Sequence, residues 1–468
     1  MRDFPRRRRS RVPRLLVVLL LLLALAGVAA LAAAALRAGP EPRIEIAPAL
    51  PAIGQRTPVT VTVEEPSRGL AGVTVELVQG EKRYRLAEER FEPRPAWALW
   101  GSRTPRVELE LAAGRELQQD LAAGEATVRV SAERVSAWLR RPPAAVAEQT
   151  LPVRLSPPTL QVLSTQTYLT QGGSEAVVYR VGPTAVRSGV AAGAWFFPGH
   201  PVPGGGPEER FALFAAPYDL SDPAAIRLVA SDEVGNEARV AFVDRFTPRR
   251  VPEGEIRLDD RFLQKVVPEI LAATPQFADR GDALASYLAI NGDLRRANAG
   301  ELVTLAGRGR AEFLWREPFL ALPGGKVMSP FAERRSYLYE GRKVDEQVHL
   351  GYDLASVRKA PVPAANRGVV LLARYFGIYG NTVVIDHGYG LMSLYSHLSS
   401  LAVAEGETVE RGAVIGATGE TGLAGGDHLH FSFLLAGLPV DPVEWWDPAW
   451  IRNRIARKLG GAMPFAER

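Results

Sequence analysis

Two short stretches decide how this chain folds and what chemistry it can carry: HLGYD at residues 349–353 and DHLHFSF at residues 427–433. The first places a histidine four residues before an aspartate, and the second places two histidines two residues apart. Imidazole and carboxylate are ligands that zinc prefers, and a catalytic zinc takes three protein ligands and leaves its fourth position to water. With His397 in LYSHL, the chain has enough groups for a metal site and for proton transfer beside it. This combination indicates a hydrolase.

The second stretch predicts a strand that carries both of its histidines on one face. Residues 429–435 are mostly apolar, and side chains in a strand alternate between its two faces. His428 and His430 therefore share a face, and Leu429 points into the core. The first stretch comes from a separate segment, in which Gly351 allows close approach of the backbone. Sequence chemistry alone does not decide which histidine of the pair would be a ligand.

The neighbouring sequence predicts a rigid sheet around these groups. A β-hairpin is indicated by two strand-like segments, Asn381–Asp386 and Leu391–His397, with a turn at residues 387–390 between them. Five glycines between 406 and 422 mark the turns between further short strands. The histidines at 397, 428 and 430 are thus expected on or at the ends of strands, which hold side chains accurately.

Composition limits the class of protein. The chain has 468 residues, enough for about three domains, and its 47% hydrophobic and 23% charged residues are typical of globular proteins. It has no cysteine, which excludes a cysteine nucleophile and a thiolate metal site. Residues 1–14 contain seven arginines and one aspartate, which gives this segment a net charge of +6. Because the whole chain has a net charge of +4, the other 454 residues have a net charge of −2. No basic surface remains that would predict nucleic-acid binding.

The arginine-rich segment runs directly into 22 uncharged residues, 15–36. A helix of that length spans about 33 Å, enough to cross a hydrocarbon core. The preceding charges predict a cytoplasmic N-terminus with the bulk of the chain on the periplasmic, extracytoplasmic side of a single-pass cytoplasmic-membrane anchor. A cleaved signal peptide is the alternative, because small residues at 32–38 offer a cleavage site. The apolar run is longer than a usual signal core, which favours a retained anchor.

The rest of the chain predicts a mainly β protein. Alternating segments such as residues 59–63, 73–77 and 176–181 indicate half-buried strands, and the end of the second β region resembles a bacterial immunoglobulin-like module. Apolar residues at helical spacing between 262 and 288 indicate a helical connector without chemistry of its own, which docks on its own protein. The predicted division is a cytoplasmic basic segment 1–14, a transmembrane helix 15–36, two immunoglobulin-like β-sandwich modules 41–155 and 156–246, a helical connector 247–315, an antiparallel-β metallopeptidase domain 316–449 and a tail 450–468.

HLGYD, LYSHL and the run from GATGETG to HLHF resemble lysostaphin-type (LytM-like) zinc metallopeptidases, which cut peptide bonds of bacterial cell walls. The resemblance covers residues 316–449. It implies that His349, Asp353 and His430 bind zinc (Zn2+), and that His397 and His428 are the catalytic pair that does not bind the metal. We assign His428 as general base and His397 as oxyanion donor or proton shuttle, since imidazole changes charge near neutral pH.

The resemblance implies a zinc metalloendopeptidase that hydrolyses peptide cross-links of peptidoglycan, either D-alanyl–diamino acid or glycine-rich bridges. Together with the predicted anchor at residues 15–36, it predicts a membrane-anchored enzyme. The β modules are expected to space the enzyme from the membrane or to bind cell-envelope proteins. One alternative is an inactive regulator that binds and activates other wall hydrolases. A biotinyl or lipoyl carrier, suggested by GETVERGAVIGATG, is excluded because no lysine lies between Lys359 and Lys458.

The chain also departs from the family pattern. Residues 423–427, LAGGD, replace the usual Ser-Thr-Gly-Pro run, and Asp427 in them is expected to raise the pKa of His428 or to alter the rim of the site. Residues 334–348 lack the usual His-Pro signature. His387 and Asp441 are interpreted as structural, and His200, in a Pro/Gly-rich loop, as solvated.

Overall fold

The structure, a computed structural model, describes residues 14–36, 40–92, 103–136, 141–463 and 465–466. The predicted cytoplasmic segment 1–14 lies outside the described residues except for its last member. The chain divides into two compact units: one runs to Pro157 and includes Asp232–Asn236, and the other comprises Pro158–Ser231 and Glu237–Arg468.

Helix α1 runs from Arg14 to Leu36. Within the part of the chain that the structure describes, no helix combines the length and the apolar character needed to cross a membrane. The anchor predicted for residues 15–36 is not supported by this result and stays a prediction.

The first unit consists of two antiparallel sheets around one core. One sheet has the order β1-β2-β5 and the other β4-β3-β6-β7. Inward-facing valines alternate with more exposed residues along β2, as the period of two predicts. Packed sheets of this kind agree with the predicted sandwich, while its immunoglobulin-like topology stays a prediction. The strands are β1 (Arg43–Pro48), β2 (Thr57–Glu64), β3 (Leu70–Gln79), β4 (Lys82–Arg90), β5 (Arg106–Ala113), β6 (Gly124–Arg134) and β7 (Ala145–Val153).

The second unit begins with another pair of four-stranded antiparallel sheets, ordered β13-β14-β10-β8 and β12-β11-β15-β16, and a short parallel pair, β17 with β9. The predicted hairpin turn at residues 232–236 joins β15 to β16. The strands are β8 (Leu160–Val162), β9 (Tyr168–Thr170), β10 (Ser174–Val181), β11 (Arg187–Ala192), β12 (Trp195–Pro198), β13 (His200–Pro201), β14 (Glu209–Ala215), β15 (Ile226–Ser231), β16 (Glu237–Val240) and β17 (Arg245–Thr247).

The predicted helical connector contains three helices, but it begins with a strand. Strand β18 (Glu253–Leu258) pairs in parallel with β20 (Glu333–Tyr339), a partner so far along the chain that local periodicity does not reveal it. Helices α2 (Asp260–Ala273), α3 (Ala283–Ala289) and α4 (Arg295–Ala306) follow. The Asp259 side chain caps the first of them by accepting from the Phe262 N–H. The apolar face of α2 is buried, which confirms that this helix docks on its own protein.

The remaining chain forms the antiparallel sheet that the sequence predicts for the C-terminal domain. Its order is β19-β22-β30-β26-β25-β24-β28, with β31 pairing to β30. The predicted hairpin is present as β25 and β26, and β30 has the expected bounds. The further strands are β19 (Lys326–Ser329), β21 (Arg342–His349), β22 (Tyr352–Ala355), β23 (Pro361–Pro363), β24 (Gly368–Tyr375), β25 (Asn381–Gly388), β26 (Leu391–Leu398), β27 (Ser400–Leu401), β28 (Thr408–Val409), β29 (Val414–Ala417), β30 (Leu429–Leu435) and β31 (Leu438–Val440).

The C-terminal residues are part of the core of the second unit. Helices α5 (Pro442–Trp446), α6 (Pro448–Ile451) and α7 (Arg457–Leu459) close the chain. Apolar residues of this region, such as Ile455, share one hydrophobic core with Phe433 of the sheet and with Phe214 of β14. The core therefore continues across the predicted boundaries at residues 246 and 449, because the second β module and the tail bury apolar side chains against the C-terminal domain.

Candidate metal centre

Three ligand atoms from distant parts of the sequence meet at one point. Nε2 of His349 lies 3.0 Å from Oδ1 of Asp353 and 2.9 Å from Nδ1 of His430, and that nitrogen lies 3.0 Å from the same carboxylate oxygen. His349 and His430 are only 5% and 7% exposed. The three residues form a group that is able to hold a metal ion.

The sheet register produces this convergence. Asp353 on β22 lies directly opposite His430 on β30, and His349 is the last residue of β21. Gly351 makes the close approach of these strands possible: a Cβ there would lie 2.4 Å from Oγ of Ser432 and 2.6 Å from Cε1 of His430. The interpretation of this glycine from the sequence is confirmed.

Hydrogen bonds behind the three residues fix which imidazole nitrogen carries a lone pair. Nδ1 of His349 lies 3.1 Å from the Pro330 carbonyl, which can only accept, so Nε2 is left with its lone pair. The Ser432 hydroxyl donates to the Leu350 carbonyl at 2.8 Å and accepts from Nε2 of His430 at 3.0 Å. Since Nε2 of His430 carries the proton, Nδ1 of the neutral ring carries a lone pair. Both lone pairs face the point where the ligand atoms meet.

The third ligand atom belongs to a carboxylate that a half-buried arginine orients. Nη2 of Arg335 donates to Oδ2 of Asp353 at 2.7 Å, and its Nε donates to Glu333 at 2.8 Å. Burial raises the pKa of Asp353, but the surrounding histidines outweigh it and hold that pKa well below its usual range. Burial also lowers the pKa of His430 to about 4. An ionised carboxylate and neutral imidazoles are the protonation states that metal binding requires, so the donor set fits a zinc ion.

The other two predicted site residues stand beside this group. The ring centroids of His397 and His428 lie 4.9 Å apart, and that of His397 lies 5.9 Å from that of His430. Nδ1 of His397 donates to the Thr421 carbonyl at 2.8 Å, and Nδ1 of His428 donates to the Gly426 carbonyl at 2.8 Å. In each ring Nδ1 is therefore occupied by a backbone carbonyl, and Nε2 is the nitrogen that remains for proton transfer.

The environments of the two rings differ. His397 is buried, and burial holds its pKa well below the usual value. Burial also lowers the pKa of His428, but the Asp353 carboxylate, whose Oδ1 lies 3.6 Å from Nε2, raises it by more. His397 has a backbone φ of 60°, in the left-handed region, which is uncommon for a non-glycine residue. Such conformations cluster at functional sites, where surrounding structure holds them.

A family model describes the segment that carries these residues. Peptidase family M23 matches residues 347–442, from two residues before His349 to the start of α5. Residues 347–442 belong to peptidase family M23. The resemblance stated from the sequence is thereby confirmed. The family is one of zinc metallopeptidases, which confirms the predicted cofactor.

Curated relatives of this chain include two proteins named as endopeptidases. The chain is 31% identical over 199 residues to the peptidoglycan DD-endopeptidase ShyA of Vibrio cholerae, covering 41% of this chain and 43% of that protein. It is 39% identical over 119 residues to the DD-carboxypeptidase/endopeptidase Mpg of Neisseria meningitidis, and this match covers 25% of this chain and 26% of that protein. The chain thus spans less than half of the length of these relatives.

A solved structure similar to the M23 domain is the catalytic domain of the antimicrobial peptidase lysostaphin from Staphylococcus simulans. It has 26% sequence identity and a TM-score of 0.23, and the match covers 27% of this chain and 94% of that one.

The M23 domain shares its cleft with residues outside the family match. A cavity of about 580 Å³ opens over the metal group. His349, Asp353, His397, His428 and His430 all line it. It is also lined by residues of β18 and the helical connector, including Phe262, Tyr287 and Arg295.

Of the two roles predicted for Asp427 the structure agrees with the one at the rim, and the prediction for His200 is wrong. The Asp427 carboxylate accepts from the Thr418 hydroxyl at 2.6 Å and from the Lys359 N–H at 3.0 Å, so it ties the rim together, and the raised pKa of His428 comes from Asp353. His200 is half-buried, with its ring centroid 4.9 Å from that of Tyr389, because β13 pairs with β14 and brings the histidine against an aromatic cluster.

The structural interpretations of His387 and Asp441 agree with the structure. His387 is fully buried, with Nε2 2.7 Å from the Ser393 hydroxyl and Nδ1 2.8 Å from the Arg367 carbonyl, and burial lowers its pKa to about 4. Asp441 caps α5 and pairs with Arg249.

Sequence reasoning missed Arg335 and Ser432. Ser432 follows His430 by two positions in a strand, so the same alternation that pairs the histidines could have placed it behind the ligand. Arg335 belongs to a different strand from Asp353 and carries no motif, since only the β20–β21 hairpin brings it there.

Replacing Ser432 with alanine should weaken zinc binding without unfolding the M23 domain. The change removes the acceptor that fixes the tautomer of His430, and losses of such supporting groups cost about 10- to 100-fold in metal affinity. Competition with a chelator on the purified protein measures the change. His349→Ala is the reference for complete loss of stoichiometric zinc, and a Ser432→Ala protein with unchanged affinity would contradict this role.

Proposed function

We propose that this protein is a zinc metalloendopeptidase that hydrolyses peptide cross-links of bacterial peptidoglycan. The observation that carries the proposal is the convergence of His349 Nε2, Asp353 Oδ1 and His430 Nδ1 at one wall of an open cleft, with two further histidines beside them. The names of the curated relatives support peptidoglycan as the substrate. Nothing in the site favours the inactive regulator, since every group expected of an enzyme is present.

When bound, zinc acts as a Lewis acid on a carbonyl oxygen and lowers the pKa of its water to around 7. The chain itself supplies the ligands and the proton-transfer groups. His397 and His428 each have Nδ1 held by a backbone carbonyl, so Nε2 is the atom that accepts or donates a proton in the cleft. A neutral ring accepts the proton of the attacking water, and a protonated ring donates to the oxygen that gains charge.

The two rings offer different properties for these tasks. His428 has a 17% exposed side chain at the cleft mouth, whereas His397 is buried. We propose, as the sequence suggests, that His428 is the base and His397 the oxyanion donor or proton shuttle. Their close spacing allows a proton to pass between them.

Replacing His397 with alanine should leave zinc bound and lower the rate of hydrolysis about 10²- to 10⁴-fold, because a positioned proton-transfer group is lost. Purified cross-linked muropeptides, with new amino termini quantified, provide the assay, and metal content is measured on the same sample. His349→Ala, expected to lose both zinc and activity, is the comparison. Wild-type turnover by the His397→Ala protein would remove this residue from the reaction.

The cleft also favours a substrate that carries a free carboxylate. Arg295, which lines the same cleft, is half-buried, and its guanidinium donates to the backbone carbonyl of Asn291 at 3.0 Å and to that residue's Oδ1 at 2.6 Å. In the part of the chain that the structure describes, the partners shown for this guanidinium are these two amide oxygens and not a carboxylate. A partly buried guanidinium without an anionic partner is suited to bind one. Of the two bridge types, the D-alanyl–diamino acid cross-link offers such a group.

Arg295→Ala should raise KM for diamino acid cross-links about 10-fold or more, the usual effect of losing a charged hydrogen bond. The same substrate with its free carboxylate amidated should show little difference between the two proteins. Arg296→Ala is the matched control, since that neighbouring arginine is exposed and pairs with Asp293. Equal losses on both substrates would contradict carboxylate recognition.

We further propose that residues 15–36 hold the protein at the cytoplasmic membrane, with the M23 domain outside. The support is the uncharged run itself, the seven arginines before it and the exposed apolar side chains between Leu16 and Leu31.

The full-length protein should sediment with membranes, resist a high-salt wash and keep its original N-terminus. Fractionation followed by N-terminal sequencing checks this, and a chain lacking residues 1–36 is the comparison. Recovery of a shortened protein in the soluble fraction would instead show a cleaved signal.

A further inference from the structure

The loop that holds His397 is itself held from outside the M23 domain. This loop, residues 419–423, follows β29 and contains Thr421, whose carbonyl accepts from Nδ1 of His397. Its neighbour Gly422 donates its backbone N–H to Oε1 of Glu269 at 2.8 Å. The phenol of Tyr375, at the end of β24, donates to the same oxygen at 3.0 Å. Glu269 belongs to α2, well before the family match begins.

The loop has little freedom apart from this contact. The Thr421 hydroxyl accepts from the Asn381 N–H at 2.9 Å and donates to the Leu398 carbonyl at 3.0 Å. Gly422 has a φ of 73°, and a Cβ there would lie 2.4 Å from the Gly380 nitrogen. The next residue, Leu423, donates its N–H to the Ile378 carbonyl. The Thr421 hydroxyl thus makes two hydrogen bonds, whereas the Gly422 N–H, which follows the carbonyl that binds His397, has the Glu269 carboxylate as its partner.

Helix α2 has the rigidity to provide that fixed point. Its buried face packs Val266, Val267 and Ile270 into a core that includes Ile378 of the cleft rim. Glu269 is half-buried, and a carboxylate that accepts from an N–H and a phenol forms charge-assisted hydrogen bonds, which are shorter and stronger than neutral ones. The burial of Tyr375 and the charge of Glu269 together raise the pKa of that phenol, so it stays a donor.

We propose that Glu269 is a positioning residue of the peptidase site: it anchors Gly422 and thereby sets the Thr421 carbonyl that fixes the tautomer and orientation of His397. The expected effect of Glu269 on the rate of hydrolysis rests on the proposed function. The structural relation between Glu269 and His397 holds for the chain whatever it cleaves.

Two variants separate positioning from general stability. Glu269→Ala removes the acceptor, while Glu269→Gln keeps a carbonyl oxygen that accepts both hydrogen bonds. Lys265→Ala is the matched control, because Lys265 lies one turn earlier on α2 and pairs with Glu420 of the same loop at 2.8 Å, but both side chains are exposed. An exposed pair of this kind contributes little to stability.

In the full-length zinc-loaded protein, Glu269→Ala should lower kcat on the order of 10²-fold, as small misplacements of catalytic groups do. KM, zinc content and thermal unfolding should stay near wild type. Glu269→Gln should recover most of kcat, and Lys265→Ala should match wild type. Unchanged kcat in Glu269→Ala, equal losses in the alanine and glutamine variants, or an equal loss in Lys265→Ala would each overturn the proposal.

A readout without turnover distinguishes failure of this inference from failure of the proposed function. With nitrogen-15-labelled histidine, NMR reports whether His397 carries its proton on Nδ1, and amide exchange reports the Gly422 N–H. In Glu269→Ala, His397 should populate both tautomers and the Gly422 amide should exchange faster than in wild type. If wild type cleaves no peptidoglycan but these changes appear, the positioning role stands and only the activity fails. If neither signal changes, the positioning role is wrong.

Discussion

The structure depends on bringing two imidazole lone pairs and one carboxylate oxygen into mutual contact in a buried place. Nε2 of His349 and Nδ1 of His430 lie 2.9 Å apart, and in the neutral tautomers that the hydrogen bonds behind them favour, both atoms present a lone pair to the same point. Buried polar atoms without a partner are costly, and two facing lone pairs repel. A cation is the partner that satisfies all three atoms at once, while the sheet register and Gly351 hold them in place without it. The chemistry of the site follows from that arrangement.

Much of this arrangement was predictable because it is local. The alternation in residues 429–435 predicts a strand that carries His430, and β30 has those bounds, with His428 immediately before its first residue. The hairpin around His387 and the buried face of α2 follow from the periodicities of strands and helices in the same way. Which of the two histidines binds the metal came from the family resemblance, and the geometry agrees, since only His430 lies with His349 and Asp353 in the group of ligand atoms.

What the sequence could not show are contacts between segments that are distant along the chain. Strand β18 pairs in parallel with β20, although the three helices of the connector lie between the two strands in the sequence. The position of Arg335 behind Asp353 depends on the β20–β21 hairpin, whose pairing register shifts midway. The prediction for His200 was wrong for the same reason, because its Pro/Gly-rich surroundings indicate a loop while its burial depends on Tyr389, which belongs to the distant M23 domain. Glu269 has no motif at all. Its role is visible only once the loop that contains Thr421 is placed against α2.

The second β module cannot be a freely moving spacer for the M23 domain. Ser174 on β10 donates its N–H to Glu444 at 2.6 Å, and its hydroxyl accepts from the Trp445 indole at 3.3 Å. Lys458 reaches the buried Glu175 at 3.0 Å, so a buried ion pair also joins the second β module to the C-terminal residues. Separation would also expose Phe433 and Trp445, which lie in the shared core. The residues from 158 onward therefore carry the candidate metal centre on one folded body, and the hydrogen bond from Gly422 to Glu269 of α2 is one part of that continuity.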